Sequence, residues 1–142
     1  MDRNQIQNAI PHRPPFLWVD EVTHLDDRSI RARTFLDPEL PVFQGHFPGH
    51  PVFPGVLQCE AALQAGAILI SQIESVPSGE IPVATRMNDV KFRRMVKPGE
   101  TIEIEVTLNE HLANAYYMTG KVSVEGKIAT RLEFACASAK VE

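Results

Sequence analysis

Residues 44–64 read QGHFPGHPVFPGVLQCEAALQ, and in this stretch a loop rich in proline and glycine runs directly into an apolar segment. Two histidines, three prolines and three glycines precede its single acidic residue, Glu60. Proline fixes the backbone and glycine permits tight turns, so the sequence predicts an ordered, irregular loop over residues 37–55. Such a loop is suited to holding His46 in a fixed place over the start of the segment that follows.

The segment from Val56 to Ile73 is apolar over most of its helical circumference. In a soluble protein this pattern predicts a helix that is surrounded by protein on most sides. Its polar residues Glu60, Gln64 and Ser71 form either one solvated stripe or the lining of an internal cavity. Because a partly desolvated carboxylic acid keeps its proton near neutral pH more readily, the second interpretation makes Glu60 a candidate general acid.

Strand-like patterns occur on both sides of this helix. A short helix is predicted over residues 4–10, and a linker over residues 74–82. Six strands are predicted from runs of β-branched and alternating apolar residues, over residues 16–25, 29–36, 83–92, 100–112, 115–124 and 127–139. One buried helix with six mainly antiparallel strands predicts an α+β fold, a sheet wrapped around the helix, in a single domain over residues 1–142.

Length and charge exclude several classes of protein. The chain has 142 residues and a formal net charge of -4, which fits one domain and argues against nucleic-acid binding, since that calls for a basic face. The first residues are charged and proline-rich, and no stretch has the ~18 uninterrupted apolar residues of a membrane span. We therefore expect a soluble, cytoplasmic protein with no membrane partner, in which Cys59 and Cys136 are core residues.

Imidazole and carboxylate groups are the remaining candidates for chemistry, because the nucleophile-elbow, phosphate-loop, dinucleotide and Cys-x-x-Cys motifs are all missing. His46 and His50, with Cys59 or Glu60, could be proposed as zinc ligands. We expect no metal, because a loop spacing of this kind does not set up a ligand geometry. The simpler interpretations are a solvated loop residue for His50 and a structural core histidine for His46.

Three blocks of sequence together resemble a known family. PHRPPFLWVDEV (residues 11–22), GHFPGHPVFPGVLQCEAALQ (residues 45–64) and VKFRRMVKPGE (residues 90–100) are similar, in order and separation, to the β-hydroxyacyl-acyl carrier protein dehydratases that carry Glu on their central helix. The resemblance implies a hot-dog fold and elimination of water from a 3-hydroxyacyl thioester, without a cofactor.

The resemblance also implies a role for individual residues. His46 and Glu60 correspond to the catalytic pair, Gly55 to the residue whose backbone N–H binds the thioester carbonyl, and Gln64 to a partner that orients the acid. It further implies a homodimer in which one subunit supplies the His and the other the Glu, with three dimers commonly forming a hexamer. An acyl chain would then occupy a tunnel lined by apolar residues, which could equally well belong to the hydrophobic core. These residues are Phe16, Phe43, Phe53, Val56 and Leu63.

A cationic cluster, Lys91, Arg93, Arg94 and Lys97, is unusual in an acidic chain. It is either a solvated strand edge or a docking patch for the acidic acyl carrier protein. Two other functions remain open at this stage. One is a hot-dog acyl thioesterase that uses the same helix Glu, and the other is a non-catalytic acyl-binding subunit, which would have no chemical need for both His46 and Glu60.

Overall fold

The computed structural model of the protein describes residues 1–75 and 77–141. Within these ranges the chain forms three helices and six strands. In chain order these are α1 (Arg3–Ala9), β1 (Glu21–Leu25), β2 (Ser29–Phe35), α2 (Val42–Gly45), α3 (Gly55–Ile73), β3 (Glu80–Phe92), β4 (Thr101–Leu112), β5 (Ala115–Val124) and β6 (Lys127–Lys140).

The six strands form one antiparallel sheet in the order β1-β2-β4-β5-β6-β3. Alternation places one face of each central strand in the core; in β4 the buried residues are Ile102, Ile104, Val106 and Leu108. Strand β3 lies at one edge, so one side of its backbone has no strand partner in the described part of the chain. The predicted α+β architecture, a sheet packed on one long helix, is confirmed.

Helix α3 lies close to the sheet because small residues meet at the contact. A Cβ atom added to Gly66 would lie 2.9 Å from Phe134 Cε2, and one added to Gly120 would lie 3.1 Å from Ala62 Cβ. The expectation that no segment is as long and apolar as a membrane span is wrong for α3, which could cross a membrane by length and composition. However, 61% of its apolar window is buried inside the fold. It is therefore the core helix that the sequence predicted.

Several predicted boundaries were wrong. The predicted first strand starts at Glu21 rather than at residue 16, because side chains rather than a neighbouring strand bind the backbone of Trp18. The irregular loop contains the four-residue helix α2, which begins after Pro41. Strand β3 starts at Glu80, inside the predicted linker over residues 74–82, because β6 extends far enough to pair with it; Val76 lies outside the described residues.

Candidate active site

His46 lies directly after α2, and its imidazole is held by the loop that follows. The backbone N–H of His46 donates to Val42 O at 3.2 Å, and Val52 N–H donates to His46 O at 2.8 Å. The Nδ1 atom lies 2.8 Å from Val52 O. A carbonyl oxygen can only accept, so Nδ1 carries the proton and the neutral ring presents the lone pair of Nε2. This tautomer is the one that a general base requires.

His46 lines an open cavity of about 470 Å³ at the N-terminus of α3. The cavity is mostly apolar, with two arginines at its wall. The other lining residues are Val52, Phe53, Pro54, Gly55, Val56, Gln58, Phe92, Arg93, Arg94 and Met95. His46 is only partly buried, and it borders space that is open to a ligand.

Gly55 is the first residue of α3 and shares this cavity. A Cβ atom at this position would lie 2.6 Å from Phe92 Cε1, so a side chain here would displace the aromatic ring. An N–H at the first position of a helix has no intrahelical acceptor, and it lies at the positive end of the helix dipole. The position therefore suits a ligand oxygen on which negative charge develops.

Glu60 is half-buried and lines a second cavity, of about 430 Å³. The walls of this cavity are mostly apolar and come from the N-terminal loop, α3, β3 and β6. The other lining residues are Pro11, His12, Phe16, Leu63, Ala67, Ile81, Pro82, Val83, Ala84 and Cys136. Burial, helped by the charge of Glu60, raises the pKa of the Cys136 thiol to about 12, which indicates poor solvation beside this carboxylate.

Gln64 fixes the orientation of Glu60. Its amide is fully buried, and its Oε1 accepts a hydrogen bond from the backbone N–H of Trp18 at 2.7 Å. Its Nε2 donates to Phe16 O at 2.8 Å and to Glu60 Oε2 at 3.0 Å. Because the Trp18 N–H determines which end of the amide is the oxygen, Glu60 Oε2 must act as the acceptor. Gln64 is therefore not part of a solvated stripe, and it does contact the acid.

His12 also approaches Glu60, and sequence reasoning missed it. Its Nε2 lies 3.7 Å from Glu60 Oε2, and both side chains are largely buried. Burial lowers the pKa of His12, while the negative charge of Glu60 partly opposes this effect. The PHRPPF loop at residues 11–16 was the sequence feature that could have indicated His12 as a site residue. Its prolines and arginine hold this histidine ahead of the first strand.

His46 and Glu60 line different cavities of the chain. Gly55, beside His46, and Glu60 are five positions apart on α3, which corresponds to about 140° around the helix axis. The predicted acyl-lining residues divide in the same way: Phe53 and Val56 line the His46 cavity, whereas Phe16 and Leu63 line the Glu60 cavity.

Among the remaining candidates, Cys136 lines the Glu60 cavity, whereas Phe43, His50 and Cys59 line neither cavity. Phe43 packs in the core against Phe53, with ring centroids 6.3 Å apart. His50 is exposed, and Cys59 and Cys136 are free and buried. Among residues 1–75 and 77–141, no three His, Cys, Asp or Glu side chains cluster as metal ligands.

The four residues of the cationic cluster are exposed. Arg93 and Arg94 line the His46 cavity, and Lys91 and Lys97 flank them in sequence. In the part of the chain that the structure describes, none of these four side chains lies within 4.0 Å of a carboxylate. The charges of Arg93 and Arg94 are therefore available at the wall of the cavity.

A family model for the FabA-like domain matches residues 10–133. The chain belongs to the FabA-like family. Among curated members it is 40% identical over 136 residues to the 3-hydroxyacyl-[acyl-carrier-protein] dehydratase FabZ of Rickettsia conorii, covering 94% of this chain and 93% of the relative. The corresponding FabZ of Rickettsia felis is 38% identical over 135 residues, with 94% and 93% covered. The resemblance seen in the three sequence blocks is confirmed.

Solved structures agree on the fold of this FabA-like chain. The dehydratase heterocomplex ApeI:P of Xenorhabdus doucetiae contains a chain with a TM-score of 0.81 at 14% identity, covering 95% of this chain and 91% of the other. Thioesterase HI1161 of Haemophilus influenzae gives a TM-score of 0.70 at 15% identity, with 99% and 91% covered. The predicted hot-dog fold is confirmed.

Proposed function

We propose that this protein is a 3-hydroxyacyl-[acyl carrier protein] dehydratase, a hydro-lyase that converts a 3-hydroxyacyl thioester into the trans-2-enoyl thioester in fatty acid biosynthesis. The observation that carries the proposal is the Glu60 carboxyl group, oriented by Gln64 in an apolar cavity, in a chain 40% identical to a dehydratase of this kind. The active unit is one domain over residues 1–142, soluble and cytoplasmic.

His46 acts as the base in this proposal. Its Nε2 lone pair removes the proton from the carbon next to the thioester carbonyl, and the electron pair moves onto the carbonyl oxygen. The backbone N–H of Gly55 binds that oxygen as its negative charge grows. The hydrogen bond from Nδ1 to Val52 O stabilises the imidazolium that forms, because a carbonyl oxygen accepts more strongly from a charged donor.

Glu60 acts as the acid. The charge on the thioester oxygen returns to form the carbon–carbon double bond, and the hydroxyl at the third carbon leaves as it receives a proton. Since Gln64 donates to Oε2, the transferable proton belongs on Oε1. The mostly apolar walls of the Glu60 cavity limit the access of bulk water to the reacting carbon.

A second copy of the chain completes the site. Residues 81–84 line the Glu60 cavity, residues 92–95 line the His46 cavity, and Asn88 lies midway between these stretches. If two β3 edges pair antiparallel about a twofold axis near Asn88, residues 81–84 of each copy lie beside residues 92–95 of the other. The two cavities then join twice, giving two sites per dimer.

Exposed apolar side chains support the same pairing. Large hydrophobic residues stand around the His46 cavity with half or more of their surface accessible: Phe47, Val56, Phe92 and Met95. A contiguous exposed patch of this kind marks an interaction site on a soluble protein. We therefore propose an obligate homodimer.

Asn88→Cys is expected to form a disulfide between two chains under mild oxidation. A residue close to a twofold axis of paired antiparallel strands faces its own copy at about 4.5–5.5 Å between Cα atoms, which is within disulfide range. The native cysteines are both buried and do not compete. Non-reducing electrophoresis measures the fraction of linked chains.

Arg31→Cys, an exposed substitution on β2, is the matched control and should give little linked product. Equal linkage in the two variants at the same protein concentration would mean that β3 does not pair about Asn88.

The cationic cluster is the proposed docking surface for the acyl carrier protein. Arg93 and Arg94 line the cavity that a carrier-bound thioester must enter, and Lys91 and Lys97 flank them in sequence. Charge complementarity steers the encounter of a basic patch with an acidic partner and is weakened by salt.

Replacement of Arg93 and Arg94 together by Glu is expected to lower kcat/KM for a carrier-protein substrate by about 10-fold or more at low salt. Turnover of a small thioester surrogate should change much less, because the surrogate needs no docking. The matched control is Arg28→Glu with Arg31→Glu, the same charge change in the first hairpin. Equal losses on both substrates would assign the cluster a structural role instead.

The decisive assay is the purified protein with a 3-hydroxyacyl thioester. Formation of the conjugated enoyl thioester, followed by its absorbance, is the expected result. Release of free thiol without the enoyl product would assign the protein as a thioesterase, and tight binding without either product would assign it as an acyl-binding subunit.

A further inference from the structure

We propose that His12 is a positioning residue for Glu60, acting as a second donor that holds Oε2 and so directs Oε1 toward the reacting hydroxyl group. This inference rests on the proposed function. It concerns a residue from the N-terminal loop that acts through the catalytic acid.

The first argument is geometric. Gln64 Nε2 and His12 Nε2 approach the same oxygen of Glu60, at 3.0 Å and 3.7 Å respectively. The longer separation lies outside hydrogen-bond range, and the proposed arrangement requires it to shorten. With both donors on Oε2, that oxygen is the carbonyl oxygen of the protonated acid, and the proton is confined to Oε1.

The second argument concerns the protonation state of His12. Its Nδ1 atom is buried and has no hydrogen-bond partner, so a proton there would be an unsatisfied buried donor. A proton on Nε2 instead faces the Glu60 carboxyl. Burial lowers the pKa of His12, which keeps the ring neutral near neutral pH. The groups facing it are Arg13 on its own loop, Glu60 on α3 and Cys136 on β6.

The third argument is that packing does not account for this residue. A neutral imidazole with an unpaired buried nitrogen costs stability, whereas an apolar ring of similar shape would not. The loop around it is nevertheless tightly held: Arg13 Nη1 donates to the backbone oxygens of Ile10 and His12, and Arg13 Nη2 donates to Gln7 O. The fold therefore places His12 against Glu60 at some cost to its stability.

The test compares His12→Phe, which keeps the ring and removes the donor, with His12→Gln, whose amide nitrogen reaches the position of Nε2. We expect His12→Phe to lower kcat by about 10- to 100-fold with KM changed less than about 3-fold. His12→Gln should recover most of kcat. His12→Asn, whose amide is too short to reach Glu60, should resemble the Phe variant and serves if that variant folds poorly.

A second measurement does not depend on turnover. In protein labelled with carboxyl-¹³C glutamate, Glu60→Gln identifies the Glu60 resonance, and its titration is followed by NMR. Loss of a donor to the carboxylate should move the Glu60 midpoint to higher pH in His12→Phe and leave it in place in His12→Gln. The exposed control His24→Asn should change neither kcat nor the midpoint.

The outcomes separate the two proposals. If the wild-type protein makes no enoyl product, the proposed function is wrong. The titration of Glu60 still tests the role of His12 in that case. Loss of kcat without a change in the midpoint, or equal impairment of the Gln and Phe variants, would overturn the positioning role in favour of a structural one.

Discussion

His46→Ala lowers kcat by an expected 100- to 10,000-fold, the order associated with loss of a general base, while the fold is retained. The ring makes one side-chain hydrogen bond, to Val52 O, and the loop that carries it is closed by backbone hydrogen bonds that alanine keeps. The measurement is enoyl formation from a 3-hydroxyacyl thioester at saturating substrate, with circular dichroism as the check on folding.

Glu60→Gln should be impaired to a similar extent. Its amide oxygen still accepts from Gln64, so the shape of the cavity is preserved, but the amide has no transferable proton. A loss of activity in Glu60→Gln relative to the wild-type protein therefore reports the loss of proton transfer and not a change in the packing of this side chain.

The matched control for the first variant is His50→Ala, in the same loop but fully outside the cavity. It should retain wild-type turnover. Near-normal activity of His46→Ala would mean that His46 is a structural histidine that binds a backbone carbonyl. Near-normal activity of Glu60→Gln would mean that Glu60 is a half-buried acid with no catalytic role.

Features that depend on neighbours in sequence were predictable from the chain. The periodicity of Val56 to Ile73 predicted α3 to within one residue, and the alternation of Ile102, Ile104 and Val106 predicted β4. The resemblance in three blocks correctly gave the fold, because each block combines several residue types at fixed spacing.

Features that depend on contacts between distant segments were not predictable. Gln64 binds Trp18 N and Phe16 O, which are 46 and 48 positions away, so its fully buried position could not be inferred from a helical stripe. The same contacts explain why the first strand starts late. His12 was missed for the same reason, since its partner Glu60 lies on another element.

His46 and Glu60 line two different cavities, and this leads to the second large effect. Mixing His46→Ala chains with Glu60→Gln chains, each inactive alone, should restore about one quarter of wild-type activity after subunit exchange. Random pairing makes about half of the dimers mixed, and each mixed dimer has one site with a wild-type His46 from one chain and a wild-type Glu60 from the other.

A chain that carries both His46→Ala and Glu60→Gln is the control for this experiment. Mixed with an equal amount of wild-type chain, it should reduce the activity of the wild-type chain to about half, because every mixed dimer then lacks a complete site. If each site were built within one chain, the first mixture would stay inactive and the second would lose nothing. Native mass spectrometry shows whether mixed dimers have formed, so persistent inactivity in their presence would place His46 and Glu60 of a site on the same chain.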